Sequence, residues 1–114
     1  MRKENVHNAA FEVATQVRAL EESIESALVE LAELQTKMVH ARAVTGTGFA
    51  TSHAAFAPLA AIASGLIAAR GGTAHCHEAL AETRKSIPGL RTVAWGDEYD
   101  CPDPKGSADL RIVA

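Results

Sequence analysis

The chain is poor in aromatic side chains: three Phe, one Tyr and one Trp make up 4% of its 114 residues. Aromatic residues bury the most area each, and much of the 47% hydrophobic content is alanine instead, which buries little. A thick globular core is therefore excluded, and buried area has to come from helix pairing or self-association. Proline is absent before Pro58, so nothing in the first half of the chain forces a helix to stop. An excess of either charge is missing as well. Eleven Lys and Arg against fourteen Asp and Glu leave a net charge of −3, without the basic surface that a nucleic acid requires.

Only two cysteines are present, Cys76 and Cys101. The N-terminal residues Met1 to Asn5 lead directly into an amphipathic pattern with no apolar leader stretch, which predicts a cytoplasmic protein with both thiols free. An oxidising compartment would instead make the pair a candidate bridge. Reactive signatures are absent too: the sequence has no nucleophile with a nearby base, no P-loop and no dinucleotide fingerprint. These absences predict a protein that is not an enzyme and holds no cofactor.

What the chain does have is a period. Val6, Ala10, Val13, Val17, Leu20, Ile24, Ala27, Leu31, Leu34, Met38 and Ala41 follow one another at spacings of four and three, with Glu, Arg, Gln and Ser filling most intervening positions. A period of 3.5 held this long predicts a coiled-coil helix over about residues 4–43. Gly46 and Gly48 lie among Thr45, Thr47, Thr51 and Ser52, a loop at 44–51 with Thr51 or Ser52 as N-cap. A second seam follows at Leu59, Ile62, Leu66, Ala69, Thr73, Cys76, Leu80, Thr83 and Ile87, predicting a helix over about 52–87 that ends at Pro88 and Gly89. Pro58 falls in its first turns. Gly71 and Gly72 lie inside it; the unbroken heptad phase predicts a continuous or gently kinked helix, and a break capped by Thr73 is the alternative.

The fold class is accordingly all-α: a long antiparallel helical hairpin over residues 1–88, with an irregular tail from 89 to 114. Pairing Met38 with Leu59, Leu34 with Ile62, Leu31 with Leu66 and Leu20 with Cys76 puts the turn inside the glycine loop and sets Glu25 beside Arg70. On that flank Leu28, Ala32, Val39, Phe56, Ala60, Ala63 and Ile67 form an apolar patch that a two-helix hairpin leaves uncovered, predicting a homodimer that closes into a four-helix bundle. An unidentified protein partner would use the same surface.

Two other readings compete with a binding role. His75, Cys76 and His77 are the types of residue that bind zinc or copper, which would make a metal- or redox-responsive protein. Neighbouring helical residues diverge by about 100°, so the three cannot converge on one ion while the helix is intact, and no metal site is expected. His40 and His53 flank the loop, and the tail acids Asp97, Glu98, Asp100 and Asp103 lack the spacing of a calcium loop. Glu21, Glu22, Glu25, Glu30 and Glu33 lack the Glu-x-x-His pair of a carboxylate-bridged metal bundle. The second competing reading is a membrane-associated hairpin, because no Asp, Glu, Lys or Arg occurs from Ala43 to Ala69. Alanine contributes almost nothing to insertion, and Pro58, three glycines, His53 and several hydroxyls oppose it, so a packed helix is the expectation.

Overall fold

The computed structural model describes residues 2–90. Among them there are two helices and no strand: α1 spans Arg2–Thr45 and α2 spans Phe49–Arg84, joined as a helical hairpin. At 1.5 Å per residue the 44 residues of α1 cover about 66 Å. Trp95, Tyr99, Cys101 and the tail acids lie outside the described residues.

The connection is shorter than the glycine and threonine content suggests, because Gly46 terminates α1 and Gly48 starts α2. Gly46 has φ +70°, and its N–H donates to the Arg42 carbonyl at 3.0 Å, the left-handed stop that a side chain disfavours. The Gly48 carbonyl accepts the first bond of α2, from the Ser52 N–H at 3.0 Å. Thr51 and Ser52 are thus inside the helix, and Gly48 stands at the N-cap. The Arg42 guanidinium sits 5.9 Å from the Phe49 ring centroid, joining the last turn of α1 to the first residue of α2.

Starting earlier makes Pro58 the tenth residue of α2 and not part of its first turns. Its missing N–H leaves the Ala54 carbonyl without its usual helical donor, and both residues are exposed, so water can serve that carbonyl. The helix runs through Gly71 and Gly72 without interruption. Beyond Arg84 the chain tightens into i to i−3 bonds from Lys85, Ser86 and Ile87, and Gly89 takes φ +91°.

The described residues divide into two compact units, one formed by Glu21–Gly72 and the other by residues 2–20 with 73–90. In the Glu21–Gly72 unit, Arg70 Nε donates to Glu25 Oε1 at 2.5 Å, as the antiparallel pairing requires. In the other unit His7 Nε2 donates to the Gly89 carbonyl at 3.0 Å, and Leu90 is 1% exposed. Gly89 is therefore held against α1 and Leu90 is buried, although the sequence reading puts both in the tail.

Burial corrects half of the expected seam. Ala10, Val17, Ile24, Leu31 and Met38 of α1, Leu59, Leu66 and Thr73 of α2, and Ile87 just beyond it are buried or half-buried, as the spacing predicts. Leu80 of the central line is exposed, and the alternate line is mostly outside: Val6 and Ala27 are half-buried, but Val13, Leu20, Leu34, Ile62 and Cys76 are exposed. Its place is taken on α1 by His7, Ala14, Glu21, Leu28 and Arg42 and on α2 by Phe56, Ala63, His77 and Arg84. The contact face of each helix is rotated toward the opposite neighbour of the shared central line. Long amphipathic side chains can cover apolar surface with their stems while keeping their charged ends wet, which lets this more polar line close the hairpin.

Two outcomes test this description. At Gly71 and Gly72 an added Cβ meets nothing within 4 Å and φ lies outside the left-handed region, so Gly→Ala at each should stabilise by about 1 kcal/mol. Thermal melts of the single and double variants should show additive increases of several degrees. Leu90→Ala should cost about 2–5 kcal/mol in urea unfolding, whereas a residue of a solvated tail would cost nothing measurable.

Candidate functional site

Within the Glu21–Gly72 unit the large apolar side chains left in solvent are Val29, Leu34, Val39 and Val44 on α1 and Phe49, Ile62 and Ile67 on α2. Four of them fall on two sides of the hairpin contact. Leu34, 46% exposed, and Ile62, 44% exposed, share the layer that the Glu25–Arg70 pairing defines, on the side rejected by the hairpin seam. Val39 and Ile67 lie on the other side, together with Glu25. Of the seven residues expected to form a dimer patch, Leu28, Phe56 and Ala63 are half-buried on the line that closes the hairpin, and Ala32, Val39, Ala60 and Ile67 are exposed.

The apolar character of α2 extends around the helix. Its mean hydropathy reaches 1.5 over an 18-residue stretch of which 0% is buried, and by length and composition alone this helix could cross a membrane. A helix apolar on every side in a two-helix unit has more surface than one neighbour can cover. Arg70 is the first Asp, Glu, Lys or Arg of α2, and Glu25 raises its pKa above the ordinary value, chiefly through the hydrogen bond and secondarily by direct attraction. Both side chains remain well exposed, which limits the worth of the pair as stability.

The three soft-ligand residues do not converge. His75 and Cys76 are exposed, while His77 is half-buried and lines an apolar groove of about 170 Å³ with Val13, Val17, Leu80 and Ile87. Arg84 lines the same groove, and its Nε and Nη1 have essentially no solvent exposure. Among the described residues no group of three or more His, Cys, Asp or Glu side chains is placed to hold a metal ion. Expected burial of Cys76 against Leu20 is overturned, because Cys76 is an exposed free thiol and Leu20 is half-exposed. The cause is the rotated seam: both residues sit on the line that the hairpin contact leaves out.

No family model, curated protein or solved structure matches the chain.

Exposure of Cys76 reverses the substitution pattern that a seam position would give. Native protein should label rapidly with a thiol reagent at this position, and Cys76→Ser and Cys76→Asp should both stay within about 0.5 kcal/mol of the parent. Slow labelling, or a severe loss for Asp alone, would restore Cys76 to a buried seam.

Proposed function

We propose that this protein is a non-enzymatic, self-associating helical hairpin that works in the cytoplasm as an adaptor, assembly factor or structural component. The observation that carries the reading is the apolar stretch of α2, in which the hairpin half-covers Phe56, Leu59, Ala63 and Leu66 and buries no residue fully. Leaving such a helix in water costs about 25 cal/mol for each Å² of apolar surface, and a second hairpin is the simplest cover of matching length and composition. Two hairpins packed face to face make a four-helix bundle, a homodimer in which each helix gains a second neighbour. Activity then consists of binding, and an unidentified protein partner would compete for, or extend, the same surface.

A lipid bilayer is the second reading, and it rests on the same 36-residue helix, which has the length and hydropathy of a span. Opposing it, Lys37, Glu33 and Glu30 of α1 belong to the same compact unit and would have to remain outside the hydrocarbon. A metal- or redox-responsive role is a weaker alternative, with its three residues pointing apart.

Light scattering over a dilution series decides between the first two. The expected result is a dimer mass at micromolar concentration that falls toward the monomer on dilution, with no flotation alongside liposomes. A monomer at every concentration, or quantitative flotation, would overturn the reading.

A further inference from the structure

The uncovered surface has two candidate sides, and one carries more of the marks of an interface. Leu34 and Ile62 share a layer near the middle of the Glu21–Gly72 unit, Leu34 standing thirteen residues from Glu21 and eleven from Thr45 at the end of α1. Along the same side the layers above and below hold only alanines: Ala27 and Ala69 in one direction, Ala41 and Ala55 in the other. The side is uncharged at its centre, large at the middle and small toward both ends. At its α1 rim, one position further round the helix, stand Glu30 and Lys37, both exposed, with Leu34 close to the midpoint between them.

Resting on the self-association proposed above, we infer that a second copy covers this side, across a two-fold axis that crosses the helices at right angles through the Leu34–Ile62 layer. That axis sets Leu34 against the partner's Leu34, stacks α1 antiparallel on its copy, and faces Glu30 with the partner's Lys37 twice over. Ala27 comes opposite the partner's Ala41, so backbones approach closely on either side of the central leucines and isoleucines. The unit is about 36 Å long and, at about 10 Å per helix, about 20 Å wide. Complete overlap therefore gives a footprint of about 700 Å² per copy, close to the roughly 800 Å² per partner of a stable complex. An axis displaced from this layer would shorten the overlap and bring Glu30 and Lys37 out of opposition. The side bearing Val39 and Ile67 offers no such match, since a copy docked there would cover the Glu25–Arg70 ion pair and desolvate it.

The inferred geometry makes the charge pattern testable without touching the hairpin contact. Glu30→Lys places lysines in opposition and Lys37→Glu places glutamates in opposition, so each single variant should weaken the dimer about three- to tenfold at low salt. The double exchange should restore parental affinity. Leu34→Glu should weaken the dimer by at least about tenfold and Val39→Glu should not, with circular dichroism confirming unchanged helix content in both. A wild-type monomer at all concentrations refutes self-association itself. A dimer that the charge exchanges leave untouched, or that Val39→Glu dissociates while Leu34→Glu does not, refutes the axis and the side while leaving self-association standing.

Discussion

A contact between two helices buries two heptad lines on each, and this chain carries apolar residues on more lines than that. Everything else in the hairpin follows from how the surplus is distributed. Ala10, Val17, Ile24, Leu31 and Met38 form the central line of α1 and face α2 in either arrangement. Beside them stand two possible second lines. One is apolar throughout, with Val13, Leu20 and Leu34, and the other mixes Ala14 and Leu28 with His7, Glu21 and Arg42. The hairpin closes on the mixed line, so hydrophobic surface remains outside.

That choice marks the boundary of what the sequence reveals. Period, helix number, antiparallel direction and the position of the turn all follow from residues close together in the chain, the 4–3 spacing with Gly46 and Gly48, whereas α2 ends at Arg84, before the stop expected at Pro88 and Gly89. Proximity of Glu25 and Arg70 was legible too, because the paired layers put them on one flank. The second line was not legible, since both alternatives keep the same 3.5 period and share the same central residues. Hydrophobicity favoured Leu34 and Ile62, whereas the hairpin contact uses Phe56, Ala63, His77 and Arg84. The signal that distinguishes them is Arg70 itself, which stands on the line of Phe56 and Ala63 and reaches Glu25 across the helices.

Sequence reasoning about chemistry depended on less and fared differently. His75, Cys76 and His77 diverge because an intact helix turns about 100° per residue, a constraint that needs no tertiary structure. Cys76 was misplaced for the same reason as Leu20: its burial depended on the undetermined line. Gly48 as N-cap was also missed. Ser and Thr are the usual capping residues, and here Thr45 Oγ1 bonds to the Ala41 carbonyl and to Thr47 Oγ1, leaving Gly48 to begin α2.

The small size of alanine limits how strongly such a surface can associate. In the Glu21–Gly72 unit the side centred on Leu34 and Ile62 has only those two large residues, with alanines elsewhere on both lines. Each large side chain is already about half covered by the hairpin, so a partner gains only the remaining half of its transfer free energy, about 1 kcal/mol apiece. Two copies contribute four such groups, about 4 kcal/mol in all before close alanine contacts and rim charges are added. Association costs several kcal/mol of translational and rotational freedom. A dimer resting on this balance would be weak and dependent on concentration, in contrast to an obligate dimer with a core of aromatic side chains. Composition and binding strength are thus one constraint: a chain with so few aromatics obtains close helix approach more readily than tight binding.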